Sequence, residues 1–180
     1  ILFYFFWEVM LLPVFLLIGQ YGFGDKVFTT IKVTVYTMLG SLLMFVAILY
    51  LGVAYHNEFG VWSFAYDKLM QITTIPYDVK VWLFLAFLAA FAIKIPIFPL
   101  HTWIMETYSN APTGAVFLLS SIMAKLGVYA IVRFMIPIFP DIYVEYSTWL
   151  VAVGLFGLIY FGIAALMQDD IKRMFAYSSA

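Results

Sequence analysis

Three charged side chains lie within apolar runs of this sequence, and their chemistry suits the transfer of ions or protons. Lys94 lies in the run Val81–Leu100, Lys125 lies in the next run, and Glu8 lies in the first. A charged residue at membrane depth costs roughly 2.5–3.5 kcal/mol on insertion scales and usually marks a pathway. Because charges of both signs are present, the pattern predicts a transport pathway rather than a membrane anchor.

A glutamate beside a buried lysine forms a switchable proton carrier. The carboxylate stabilises the ammonium group, and its removal or neutralisation favours release of the lysine proton. We therefore predict that Glu8 and Lys94 form such a pair and that Lys125 is the next station. An ammonium group repels Na⁺, so protons are the predicted cargo. Three simpler interpretations stay open: a Lys94 side chain that reaches an interface, a structural salt bridge of Lys125, and a helix-end position for Glu8.

Other polar residues at suitable spacing are candidate proton relays. His101 follows Lys94 by seven residues, and an imidazole titrates near neutral pH. Helix packing, or an ordinary interfacial position for the histidine, explains these residues equally well. The remaining candidates are hydroxyl groups, namely Ser120 and Ser121 about one turn before Lys125, and Thr34, Thr37 and Ser41 on one helix face.

The composition is that of an integral membrane protein. Hydrophobic residues make up 66% of the 180 residues and charged residues 11%, against about 45–50% and about 25% in soluble domains. Such a length holds five to six spans of about 20 residues. The net charge of −1 gives no attraction to nucleic acid. The chain has no cysteine, which excludes disulfides and cysteine-ligated iron–sulfur clusters on it, and no cofactor or metal motif is present.

The apolar runs predict an all-α bundle of about five full spans and a truncated sixth. Pro96 and Pro99 remove backbone donors, so the third helix should break near Lys94. A broken helix is tolerated in a bilayer only where it faces protein or a watery cavity. Asn110 is the predicted N-cap of the fourth span, with Pro112 in its first turn. The predicted spans are 1–18, 33–55, 81–100, 112–134 and 148–167.

The connections carry most of the remaining charge. Residues 19–32 are predicted as a loop, 56–80 as a long connection, and 168–173 as a polar turn; within the long connection, Val61–Tyr66 favours a short strand or an interfacial segment. An apolar run at each end of the chain leads us to expect that residues 1–180 are an internal fragment of one transmembrane domain. The positive charges at alternate loops slightly favour a cytoplasmic position for the first of two groups, which are Lys26, Lys32, Lys172 and Arg173 against Lys68, Lys80 and Arg133.

Several stretches resemble the antiporter-like subunits of respiratory complex I, in that family's order and over nearly the whole chain. The same fold serves multisubunit cation/proton antiporters and membrane-bound hydrogenases. The first stretch is most similar to the chain M type of these subunits. The stretches are FWEVMLLP from Phe6, KIPIFPLHTW from Lys94, APTG from Ala111, KLG from Lys125 and DIKRMFAYSS from Asp170.

The resemblance implies a proton-pumping module of about fourteen helices, built from two inverted five-helix repeats around broken helices. Glu8, Lys94 and Lys125 match the family's glutamate and its two lysines. The loops of Lys26 and Lys172 would lie on the cytoplasmic side. One departure concerns Tyr108, which stands where the family has a histidine. A phenol does not titrate near neutral pH, so no proton role is carried over to it.

The leading hypothesis is therefore a proton-translocating subunit of an NADH:quinone oxidoreductase, with no redox chemistry on this chain. NADH, flavin, iron–sulfur clusters and quinone would belong to partner subunits. The implied partners are other membrane subunits, the lipid bilayer and protons, in a bacterial cytoplasmic or an organellar inner membrane. Two alternatives stay open: a cation/proton antiporter or hydrogenase subunit, and a scaffold whose buried charges only pair helices.

Overall fold

The chain forms nine helices and no strand in the computed structural model, which describes residues 1–180. Their apolar composition and the short turns between them explain the bundle, because each helix buries a stripe against its neighbours. The helices are α1 (Leu2–Val9), α2 (Leu11–Tyr21), α3 (Lys26–Phe59), α4 (Tyr66–Leu69), α5 (Tyr77–Lys94), α6 (Thr102–Asn110), α7 (Thr113–Ile138), α8 (Pro140–Leu166) and α9 (Ile171–Ser179).

Four helical segments are long and apolar enough to cross a membrane unaided. They are the pair α1–α2, which spans Leu2–Tyr21, and the single helices α3, α7 and α8. Helices α5 and α6 share a further crossing, because the chain breaks between them and continues in the same direction. The all-α transmembrane bundle and the broken third span expected from the sequence are thus confirmed.

Contacts near the ends of the helices define the two ends of the bundle. At the Lys26 end, the Phe23 amide donates to the carbonyl of Asn110 at 2.7 Å, and the Lys172 ammonium lies 5.1 Å from the Phe23 ring centroid. At the Tyr66 end, the Arg133 guanidinium lies 4.8 Å from the Tyr66 ring centroid. The Tyr77 hydroxyl donates to Glu145 at the same end. Since α5 begins at one end and α6 finishes at the other, together they cross the bundle.

Helix α3 begins seven residues before the predicted start of the second span. The predicted 19–32 loop was therefore too long, since only residues 22–25 separate α2 from α3. Asp25 is the N-cap, and its carboxylate accepts from the Phe28 amide at 3.2 Å. Lys32, predicted in the loop, lies inside α3 and pairs with Glu106 of α6 at 2.9 Å. Because Lys32 has an oppositely charged partner, its charge does not require a loop at this position.

The boundaries around the later spans also differ from the predictions. Asn110 is not an N-cap but the last residue of α6, and its amide nitrogen donates to Thr29 Oγ1 at 2.8 Å. Pro112 takes the N-cap position of α7. Helix α8 begins at Pro140 rather than at residue 148, since proline suits the first turn. Residues 61–65 form no strand, because no second strand is present to pair with them.

Local interruptions shape two further crossings. The first crossing is interrupted at Met10, between α1 and α2. Pro13 has no amide hydrogen to donate to the carbonyl four residues earlier. Helix α7 contains two π-helical turns, at Leu119–Met123 and Ile131–Met135. Single π turns of this kind are frequent at functional sites.

The buried side chains form two apolar clusters, one toward each end of the bundle. The cluster at the Tyr66 end includes Phe84, Phe91 and Met135. The other cluster lies toward the Lys26 end and includes Trp103 and Ile104 of α6. The break between α5 and α6 lies between these two clusters, so its polar groups are enclosed on both sides.

Two glycines allow neighbouring helices to approach the break closely. A Cβ atom on Gly40 of α3 would lie 2.8 Å from Ile93 Cδ1, and one on Gly127 of α7 would lie 2.5 Å from Ile95 Cγ1. Both distances are too short for real carbon atoms. The missing side chains therefore hold α3 and α7 against the residues that flank Lys94.

We expect Gly127→Ala to destabilise the protein by about 1–3 kcal/mol, the usual cost of overpacking, because the new methyl group collides with Ile95. The matched control is Gly154→Ala, where a Cβ would meet no atom within 4 Å and alanine favours the helix. The measurement is the thermal unfolding midpoint of the full-length protein in detergent. Equal midpoints for the two variants would contradict the close approach.

Candidate proton-transfer site at the helix break

The third crossing breaks directly after Lys94. Helix α5 ends at that residue, and α6 begins at Thr102. Pro96 has no amide hydrogen for the carbonyl of Ala92, and the Ile97 amide bonds that carbonyl instead at 2.9 Å. The indole Nε1 of Trp103 donates to the carbonyl of Ile93 at 2.9 Å. The break is thus an ordered structure whose freed carbonyls receive specific donors, as a nonpolar environment demands.

Lys94 is buried at this break, with only 2% of its surface exposed. Its Nζ donates to the backbone carbonyl of Trp7 at 3.1 Å and lies 4.0 Å from the centroid of the Trp7 ring. A carbonyl dipole and an aromatic face both favour the charged ammonium. An ammonium has three donors, and the protein supplies one hydrogen-bond acceptor. The Trp7 carbonyl and ring therefore hold the ammonium group in place.

Glu8 lies near Lys94, although the two side chains form no ion pair within 4.0 Å. The one side-chain ion pair within 4.0 Å in the structure joins Lys32 and Glu106. Glu8 is close enough to Lys94 to act on its charge, and its Oε1 is buried without a hydrogen-bond partner. Glu8 directly follows Trp7, whose carbonyl binds Lys94, and the pairing of Glu8 with Lys94 stays a prediction.

Two of the three candidate hydroxyl residues on α3 are buried. Ser41 is 2% exposed, and its hydroxyl donates to the carbonyl of Met38 at 3.0 Å. Thr37 bonds within its own helix at 2.7 Å, as helix packing alone would explain.

Lys125 is not brought together with Lys94 in these 180 residues. It lies in the middle of α7 and is exposed. Gly127 faces the break, and a residue two positions earlier points about 200° away around the helix. Ser121, one turn before Lys125, is exposed as well, whereas Ser120 is half-buried. The role of Lys125 and of these serines stays a prediction.

His101 lies within the break, where aromatic rings surround it. Its imidazole is 6% exposed and lies 4.9 Å from the Phe161 ring and 5.5 Å from the Tyr160 ring, between centroids. Its Nδ1 is buried without a hydrogen-bond partner. A histidine at the membrane interface would be more exposed, so this burial does not fit the interfacial alternative. The relay role of His101 stays a prediction.

Two tryptophans with direct contacts to the site were missed by the sequence reasoning. Trp7 supplies both the carbonyl and the ring that hold Lys94, and Trp103 closes the break through Ile93. Both lie in the motif stretches, next to Glu8 and His101, which was the available signal. Tryptophan is enriched at membrane interfaces, whereas both of these side chains are buried in the bundle.

The main cavities of the bundle do not open onto the predicted proton carriers. A cleft of about 1040 Å³ is lined mostly by apolar residues of the break, α8 and α9, and a second cavity of about 270 Å³ is lined by hydrophobic residues. Glu8, Lys94 and Lys125 line neither of them. The structure brings together no group of three His, Asp or Glu residues that could hold a metal ion.

These features define a class: a polytopic helical membrane protein with a buried lysine at a broken transmembrane helix. Comparison with known proteins makes the assignment more particular. All 180 residues match the family model described as NADH:quinone oxidoreductase/Mrp antiporter, transmembrane. The chain belongs to this family, which confirms the resemblance seen in its motifs.

Two individual relatives carry the same description, NADH-quinone oxidoreductase subunit M. The chain is 37% identical to NADH-quinone oxidoreductase subunit M of Escherichia coli K12, over 99% of its own length and 36% of that protein. It is 35% identical to the subunit M of Pseudomonas aeruginosa, with the same coverage of both chains. The chain therefore spans about 36% of the length of these relatives.

A solved structure has the same arrangement of helices. The match is to a chain of respiratory complex I from Thermus thermophilus with bound NADH, with a TM-score of 0.87 and 30% sequence identity. It covers 98% of this chain and 37% of that chain.

We expect Trp103→Phe to loosen the break, because the carbonyl of Ile93 loses its indole donor in a buried setting. A buried acceptor left without a partner costs about 1–3 kcal/mol. Hydrogen exchange of the amides from Ile93 to Ile97 should become faster. Trp149→Phe is the control, since Trp149 is 72% exposed. Unchanged exchange at the break in Trp103→Phe would show that the indole contact contributes nothing there.

Proposed function

We propose that this protein translocates protons across an energy-transducing membrane as a subunit of NADH:quinone oxidoreductase. The observation that carries the proposal is the buried ammonium of Lys94, held at a helix break by a single hydrogen bond to the Trp7 carbonyl. A buried charge of this kind is costly and is kept mainly where it functions. The relatives named as subunit M support this assembly, and residues 1–180 would be part of one proton-translocating transmembrane domain.

In this mechanism Glu8 sets the proton affinity of Lys94 from a short distance. When the carboxylate is charged and close, it favours the ammonium form of Lys94. When Glu8 is protonated or moves away, Lys94 is left with the Trp7 contact and releases a proton more easily. The Glu8–Lys94 pairing is therefore electrostatic and adjustable, and direct contact would be one state of it.

Lys125 is the proposed acceptor of the Lys94 proton. A lysine in the middle of a membrane span needs a polar or aqueous environment, and Lys125 is exposed on the part of the protein described here. In the longer protein that the relatives suggest, this face of α7 would pack against further helices or a water-filled path. His101, Ser120 and Ser121 are proposed intermediate stations.

The energy for the cycle would come from electron transfer in partner subunits. Those subunits would carry the NADH site, the flavin, the iron–sulfur clusters and the quinone site, while this chain would contribute only proton transfer. A cation/proton antiporter subunit is the second candidate, because the description of the family includes Mrp antiporters. Sodium-dependent transport without a redox partner would favour that alternative.

Lys94→Ala in the assembled complex is the direct test. We expect the number of protons pumped per electron to fall sharply, because the central carrier is lost, while Glu8→Gln should weaken pumping and leave assembly intact. Proton uptake or release in vesicles driven by NADH oxidation is the measurement. Lys68→Ala is the control, since Lys68 is exposed in the long connection. Unchanged pumping in Lys94→Ala rejects the proposal.

If the buried charges served only as a structural scaffold, a double substitution at Glu8 and Lys94 would leave transport unchanged. If the two charges only stabilise helix packing, then Glu8→Leu combined with Lys94→Met should preserve transport, because apolar residues of similar volume can replace buried charges. The proposed function requires transport to be lost in that variant even when the complex assembles normally.

A further inference from the structure

The ring of Trp7 makes a contact with Lys94 that depends on the identity of residue 7. Lys94 Nζ lies 3.1 Å from the Trp7 carbonyl oxygen and 4.0 Å from the centroid of the Trp7 ring. The carbonyl belongs to the backbone, so any residue at position 7 would supply it. The ring belongs to the side chain, so its contribution to the site can be separated from that of the carbonyl.

The ring contact has the geometry of a cation–π interaction. A cation within about 6 Å of a ring centroid is attracted by the negative face of the ring, and tryptophan attracts it most strongly among the aromatic residues. Trp7 and Lys94 are each only 2% exposed, so bulk water does not screen the contact. The attraction is stronger in such a desolvated place than at a protein surface.

Two phenylalanines fix the orientation of the Trp7 ring. Phe91 of α5 packs against it edge to face, with 5.6 Å between the ring centroids, and Phe3 of α1 packs against it at 5.5 Å. Phe91 is three residues before Lys94, and residues at this spacing lie on the same face of a helix. Phe3 in turn contacts Phe134 of α7, with 4.5 Å between the centroids. Three helices therefore hold the ring in place before it contacts the ammonium.

The ring and the carbonyl of Trp7 are the two groups that contact the Lys94 charge favourably. Lys94 forms no ion pair within 4.0 Å, and its side chain donates one hydrogen bond, to the backbone of Trp7. A buried charge is costly unless nearby groups stabilise it. The Trp7 ring is thus half of the direct support that the protein gives to this ammonium group.

The position of Trp7 in the chain connects this support to the proposed proton cycle. Trp7 and Glu8 are consecutive residues near the end of α1. In the proposed function, Glu8 favours the ammonium form of Lys94 only while its carboxylate is charged and close. During the rest of the cycle, the Trp7 ring and carbonyl would be the groups that keep the proton on Lys94.

We propose that Trp7 is a positioning residue for proton transfer, and that the face of its ring keeps the Lys94 ammonium loaded at the helix break until the proton leaves. The inference rests on the proposed function and deepens it. The ring neither accepts nor releases a proton, since it acts through Lys94. A weaker ring face would leave Lys94 loaded for a smaller fraction of the time, so proton pumping would slow while the fold stays the same.

Fluorinated tryptophans at position 7 of the assembled complex test the ring directly. Fluorine withdraws electron density from the ring face and changes its size little, so each added fluorine weakens the attraction for a cation. We expect the rate of proton pumping into vesicles, driven by NADH oxidation, to fall stepwise from monofluoro- to tetrafluorotryptophan. The total loss should be roughly tenfold, equivalent to about 1.4 kcal/mol.

Two ordinary substitutions extend this series. Trp7→Phe keeps a smaller aromatic face, Trp7→Leu removes the face, and both keep the backbone carbonyl at position 7. We expect slower pumping in Trp7→Phe than in the unchanged protein, and slower pumping still in Trp7→Leu. If Trp7→Leu does not assemble, the fluorine series decides, because it preserves the shape of the side chain.

The control is the same fluorine series at Trp149, which is 72% exposed and should show no loss. Constant pumping across the series at Trp7, while Lys94→Ala abolishes pumping, rejects the role of the ring and leaves the proposed function intact. Slower pumping in Trp7→Leu with a constant fluorine series also rejects it, because packing explains that result. An equal stepwise loss at Trp149 rejects it as well. Normal pumping in Lys94→Ala rejects both proposals.

Discussion

The structure depends on one constraint, the burial of the Lys94 ammonium group in an apolar interior. A buried charge is tolerated only when polar or aromatic groups stabilise it. Here a backbone carbonyl and an indole face, both from Trp7, serve that purpose. The interruption of the first crossing at Met10 and the break after Lys94 lie near each other, so two irregular backbones meet at the charge while regular helices surround them.

The rest of the bundle holds this irregular region in a defined shape. Gly40 and Gly127 let α3 and α7 approach the residues on either side of Lys94. Trp103 joins the first turn of α6 to the last turn of α5 through the Ile93 carbonyl. Apolar clusters cover the break from both ends of the bundle. A membrane protein can keep non-helical backbone at this depth because protein, rather than lipid, surrounds it.

Much of the site followed from local chemistry in the sequence. Pro96 and Pro99 predicted the break because proline cannot supply the helical hydrogen bond. The apolar run around Lys94 predicted its burial, and the structure agrees. The Glu8–Lys94 pairing stays a prediction, because a sequence places residues along a helix but does not give the direction of each side chain around it. Lys125 faces away from Lys94 for the same geometric reason.

The sequence by itself determined the membrane-spanning helices, the broken crossing, the family and the presence of charges at membrane depth. These properties follow from composition, proline chemistry and motif order, which are local. Only the tertiary structure decided that Trp7 is the partner of Lys94 and that Lys32 pairs with Glu106. Such contacts join residues far apart in the chain, and they depend on helix rotation and close packing, which no local pattern specifies.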